Sequence, residues 1–144
     1  MLRIRLRDRG ARALLSSSIR KVVRKVLPEA ANITIENIVE GVNKQTGIRG
    51  NLFQPLKPQT MRRKGSSKAL IDTGSMLNSI TWRWVGEDRV VVYFSAPFQR
   101  QKATWHQFGT RRGIPPREFF GVRKDNPLVG GFSIKNFAGG LKLG

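Results

Sequence analysis

The sequence contains no cysteine and a single histidine, His106. Without thiols there are no disulfides, no thiolate nucleophile and no thiolate zinc site. With one histidine, a metal site would have to rest on carboxylates. Those are scarce as well: nine Asp and Glu stand against 27 Lys and Arg. No apolar run approaches the ~20 residues of a membrane helix. The basic start "MLRIRLRDRG" is not followed by the uninterrupted apolar region of a signal peptide. The expectation is a protein made and used in a cytoplasm, with no membrane partner and no cofactor. No Gly-rich loop ending in Lys-Ser or Lys-Thr is present to cradle phosphates. Zinc-finger ligands, the spacing of an RNA-recognition motif and internal repeats of 20–50 residues are also missing.

What is present is positive charge. The net charge is +18 over 144 residues, 39% of them hydrophobic. That length suggests one domain, residues 1–144, able to bury about 68–70% of its unfolded surface. A surface so basic attracts polyanions, either nucleic acid or an acidic protein.

"LRIRLRDR" alternates. Leu2, Ile4 and Leu6 point one way and Arg3, Arg5 and Arg7 the other, as in a strand with one arginine face. A basic arm over residues 1–9 is the alternative. "ARALLSSSIRKVVRKVL" has helical spacing, with Leu15, Ile19, Val22 and Val26 on one stripe and Arg20, Lys21, Arg24 and Lys25 mostly off it. Pro28 should end or bend this helix. Ile35, Ile38, Val39 and Val42 resume the stripe, and Gly47 is a stop signal. Two helices, or one kinked helix, are expected. A loop-rich connection carries the basic cluster Arg62, Arg63 and Lys64. In "ALIDTGSMLNSI", Asp72, Thr73 or Ser75 can cap a short helix with Met76, Leu77 and Ile80 inward. "TWRWVGEDRVVVYFS" reads as a hairpin turning at Gly86, Glu87 and Asp88. Phe98, Ala103 and Trp105 fit a short helix stopping near Gly109. Five glycines in the last fifteen residues argue for an extended arm over 130–144. The elements amount to an α+β fold, N-terminal helices packed on a small, mostly antiparallel sheet.

Two stretches invite a catalytic reading. "ALIDTGS" is similar to the catalytic turn of retroviral-type aspartic proteases, where two chains each bring one Asp and the pair shares a proton. Asp72 would be that residue. The cap reading is favoured, because "MLNSI" continues with helical spacing and no hydrophobic-hydrophobic-Gly motif follows. His106 could serve as a general base, but titratable companions are few. A histidine that hydrogen-bonds locally to fix the turn at Gln107, Phe108 and Gly109 is the plainer reading. Arg117 and Glu118 are adjacent, so on extended backbone they point to opposite faces and tie to other elements or subunits. Pro115 and Pro116 hold the chain extended. Phe119 and Phe120 alternate, so one should enter the core while the other faces a subunit or the cover of the sheet.

In order, "FQPLKPQT", Lys64, "LIDTGSMLNSI", the hairpin, "HQFGT" and "IPPREFFG" resemble the phage virion morphogenesis family, the tail-completion or neck proteins of Mu-like and related tailed phages. The resemblance spans about Phe53 to Val122, roughly half of the chain. It implies a small, non-catalytic α+β virion protein at the head–tail junction, assembled in the bacterial host cytoplasm. It implies a closed homomeric ring, six copies first and twelve second, meeting portal, connector and tail proteins. His106, Phe108, Gly109, Pro115, Pro116, Arg117, Glu118, Phe119 and Phe120 would form a rigid assembly corner. Genomic DNA in the lumen would be met without sequence readout by Arg3, Arg5, Arg7, Arg20, Lys21, Arg24, Lys25, Arg62, Arg63 and Lys64, unless these dock on an acidic ring. A dimeric aspartic protease and a free nucleic-acid-binding protein are the competing classes.

Overall fold

The computed structural model describes residues 2–5 and 17–128. Arg7 and the Gly-rich segment 130–144 lie outside them. The elements are β1 (Leu2–Arg5), α1 (Ser17–Asn43), α2 (Pro58–Lys64), α3 (Ser75–Asn78), β2 (Ile80–Trp84), β3 (Arg89–Phe94) and α4 (Pro97–Phe108). The fold is α+β. One antiparallel sheet has the strand order β1-β3-β2. The alternation of the first residues does form a strand: β1 pairs with β3 from Leu2↔Val92 to Arg5↔Arg89. The aromatic hairpin pairs from Ile80↔Phe94 to Trp84↔Val90. Gly86, at φ 73°, makes its turn.

Period-two alternation gives the sheet two unlike faces. Ile80, Val90, Val92 and Phe94 are buried in the core, with Leu2, Trp82 and Trp84 packed against it. The covering layer is α1, which supplies Val23, Leu27, Ala31, Ile38 and Val42. The Trp82 indole donates to Asn32 Oδ1 on α1 at 2.9 Å.

Pro28 neither ends α1 nor divides it into two helices. Proline removes a ladder donor and in a helix interior costs about 3 kcal/mol. That cost is met by packing, because the buried stripe Val23, Val26, Leu27, Ala30, Ala31, Thr34, Ile38 and Val42 runs in phase through the proline. The expected stripe holds at Val26, Ile38 and Val42, with Ile35 and Val39 packed against the core, and departs from expectation at Val22. Val22 is 39% exposed, whereas Val23 is 5% exposed. The helix ends before Gly47, with Gln45 at φ 57°. Thr46 N donates to Gly41 O and Gln45 N to Val42 O, the paired bonds of a Schellman motif. A non-glycine residue is costly in this left-handed region. Gln45 is held there because its side chain brackets Ala69, accepting from the amide and donating to the carbonyl.

The connection after α1 is not all loop. α2 starts with Pro58 at its first turn and closes at Gly65, φ 69°, whose N–H reaches Met61 O. Pro inside the start and Gly past the end is a legible helix signature. Among the described residues, no helix is long and apolar enough to cross a membrane.

Candidate functional site

The corner begins where α4 ends. Gly109 has φ 75° and ψ 177°, a conformation that side chains rarely adopt. A Cβ there would meet Ile114 O at 2.9 Å and Pro116 N at 3.0 Å. Thr110 N donates to Ile114 O, and Gly113 N returns to Thr110 O, closing a tight loop. Pro115 is half-buried and Pro116 exposed as the chain runs back beside α4.

The return is stitched to the last turn of α4. Arg117 N donates to His106 O at 2.7 Å. Gln107 Oε1 accepts from Phe119 N at 3.1 Å and from Phe120 N at 3.0 Å, and Gln107 Nε2 reaches Phe120 O at 3.3 Å. One amide side chain thus does what a neighbouring strand would do. Phe119 is fully buried and Phe120 partly so; their ring centroids lie 6.3 and 4.9 Å from Phe94. Phe108 is 76% exposed.

Arg117 and Glu118 diverge as their adjacency requires. Arg117 is 4% exposed, and its Nε and Nη2 both donate to Gln54 O, at 3.1 and 2.8 Å. Burial lowers its pKa. Glu118 turns outward to Arg49 Nε at 3.6 Å, an exposed pair of little energetic weight. Its carbonyl accepts from Ile48 N. The corner is therefore fastened to α4, to residue 54 and to residue 48 at once.

His106 does not fix the turn through its ring, as expected, but through its backbone carbonyl. Its Nδ1 is buried without a hydrogen-bond partner. Burial, then the charges of Arg117, Lys102 and Lys64, lower its pKa to about 4. A ring in so positive a setting is neutral at pH 7 and a weak proton acceptor. Burial also lowers the Lys64 pKa, and Asp72 opposes that shift. Lys64 from α2, Lys102 from α4 and Arg117 thus gather around His106.

Of the three expected cap residues at α3, only Thr73 bonds to the backbone of the first turn. Gly74, at φ 79°, occupies the N-cap position with no side-chain hydrogen bond, and Asp72 is exposed. Thr73 Oγ1 accepts from Ser75 N at 3.4 Å and shares a 2.6 Å bond with Ser75 Oγ. The left-handed glycine starts the helix, and Asp72 takes no part in capping it.

The sequence reading missed Arg123. It is 3% exposed and lies against Gly41, where a Cβ would meet its Nη1 at 1.9 Å. Arg123 Nη1 donates to Thr46 O and Gly47 O, Nη2 to Thr46 Oγ1, and Nε to Asp125 Oδ1. A glycine inside an apolar-periodic helix was the available signal.

The basic candidates do not form one cluster. Arg20, Lys21, Arg24 and Lys25 are exposed on α1, and Arg62 and Arg63 on α2, while Lys64 is half-buried. Arg3 is exposed on the sheet face away from α1, where the register also puts Arg83 and Arg89. Among the described residues, no group of three His, Asp or Glu is placed to hold a metal ion. No protein-family model, curated protein or solved structure matches the chain.

Proposed function

We propose that this chain is a structural component of the head–tail junction of a tailed phage, joining or completing the tail as a closed homomeric ring of six copies. A ring of twelve is the second arrangement. The order of the motifs from residue 53 to 122 suggests the role. The observation that carries it is the contrast between a rigid corner and the unpartnered apolar surface beside it. Phe98 and Trp105, seven residues apart, share one face of α4 and are 63% and 39% exposed, and Phe108 projects at its end. Residues seven apart on a helix line up, and exposed aromatics grouped in this way mark protein contacts. A heterologous contact between this face and another part of the next copy gives a ring when the rotation closes. The basic residues of α1 and α2 then meet polyanionic neighbours, genomic DNA in the lumen or an acidic connector, portal or tail ring.

The reading is non-catalytic. Asp72 stands exposed on a bend, and the one histidine is neutral and hemmed in by cations. Imaging the particle neck at side-chain resolution tests the proposal: density for this chain as a ring between portal and tail is expected, and a neck without it refutes the reading. In solution, Trp105→Glu should shift the assembled species towards monomer by sedimentation. An unchanged distribution would remove α4 from the ring contact. Cleavage of peptides by the purified chain, abolished by Asp72→Asn, would establish the protease alternative instead.

A further inference from the structure

Tertiary pairing assembles a surface that no single stretch of the sequence displays. Val90, Val92 and Phe94 of β3 belong to the core, so Val91 and Tyr93 face the other way. In the register Val91 stands between Arg3 on β1 and Arg83 on β2. Arg89 is the next outward position of β3, and residue 5 of β1, also an arginine, is paired with it. Arg3 and Arg83 are exposed. The Arg89 Nε is buried without a hydrogen-bond partner. The described ion pairs, Lys44–Glu40, Arg49–Glu118 and Arg123–Asp125, involve none of these arginines. The nearest carboxylates in sequence are Glu87 and Asp88 of the hairpin loop for β2 and β3, and for β1 Asp8, which lies outside the described residues. At the edge of the face Arg100 of α4 borders, with Arg83 and Tyr93, a groove of about 350 Å³ whose inner wall is Leu2, Phe94, Phe108 and Phe120.

We propose that the arginines of this sheet face bind the phosphate backbone of duplex nucleic acid without reading its sequence. An acidic protein fits less well. Stable protein contacts are anchored on buried aromatic or aliphatic groups. Between Arg3, Arg83 and Arg89 the outward strand positions offer none: Val91 is 1% exposed, and Arg83 lies over the Tyr93 ring at 5.3 Å. A phosphate backbone needs only fixed cations, and guanidinium groups match phosphate geometry. Base edges lie in a major groove that admits a helix or a two-stranded ribbon. A three-stranded face is too broad to enter, so contact stays at the backbone. The proposal deepens the polyanion part of the function above and rests on neither the ring nor the neck. A neck imaged without this chain would leave it standing, and its own failure would leave the ring untouched.

The test is salt-dependent binding of two unrelated labelled duplexes to the full chain. Each phosphate contact adds about 0.9 to the slope of log affinity against log salt. Arg3→Gln with Arg83→Gln alters two exposed side chains, and unchanged thermal melting verifies that the variant is folded. Its slope should fall by about 1.8, so that its loss of affinity between about 50 and about 200 mM salt is about twelve-fold smaller than that of the wild type. Arg111→Gln with Arg112→Gln removes the same charge from the exposed corner loop and should leave the slope unchanged. Lysine at positions 3 and 83 should restore it. Equal slopes for the sheet variant and the wild type overturn the proposal, as do equal reductions in both double variants. So does binding of poly-glutamate in place of duplex at low salt, which would assign the face to an acidic protein.

Discussion

Replacing Gly41 by alanine sets two physical effects of opposite sign against each other. Gly41 lies within α1, where alanine is preferred by about 0.8–1 kcal/mol through its lower backbone entropy. Helix propensity alone predicts a stabilised protein. The structure predicts the reverse. The new Cβ would sit 1.9 Å from Arg123 Nη1 and 2.2 Å from Cζ. A free arginine would swing aside, but this one is 3% exposed and clamped to Thr46 and Asp125 by its whole guanidinium. Moving it breaks bonds from a charged donor to the Thr46 and Gly47 carbonyls, each contributing about 1.5–3 kcal/mol. Allowing for partial relaxation, and subtracting the propensity gain, the loss is about 2–4 kcal/mol. For a chain near this length that lowers Tm by roughly 5–15 °C, a range calorimetry resolves. The sharper assay is a double-mutant cycle. Arg123→Ala removes the obstacle, and in that background Gly41→Ala should become stabilising by about 0.8–1 kcal/mol. The same sign in both backgrounds would refute the argument that Gly41 is there to receive Arg123.

Phe119→Ala removes a fully buried ring packed on Phe94 and should cost about 3–5 kcal/mol, read from denaturant midpoints; a loss below about 1 kcal/mol would mean that the corner carries little of the core. Asp72→Asn alters an exposed side chain and should change stability by no more than about 0.5 kcal/mol, with no effect on assembly; a large loss in melting or assembly would contradict its placement. The His106 ring takes up its proton near pH 6.5 when unfolded and near pH 4 in the fold. Between those values the unfolded chain binds more protons, so this contribution is complete above about pH 6.5 and is lost as the pH falls towards about 4. Against wild type, His106→Gln should therefore flatten the stability profile in that window, and parallel profiles would show the ring to be solvated.

Local chemistry determined much of this protein. Alternation set the hairpin and the short first strand, because a strand buried on one face repeats every two residues. Adjacency alone sent Arg117 and Glu118 in opposite directions. The glycine of "HQFGT" marked the turn because few other residues tolerate its backbone. What the sequence could not carry was phase and register. Both Val22 and Val23 can lie on an apolar stripe, and only the sheet beneath α1 chose Val23. Pro28 signalled an end or a bend, and packing on both sides of it carries one helix through. Gln107 stands in for a strand, and Arg123 is buried against Gly41, through contacts between residues far apart in the chain. Arg3, Arg83 and Arg89 come to one face only because β1 and β2 both pair with β3 in a fixed register. Sequence distance does not encode such neighbours: they are decided by the free energy of closing long loops onto a shared core, which exists only once the whole chain has folded.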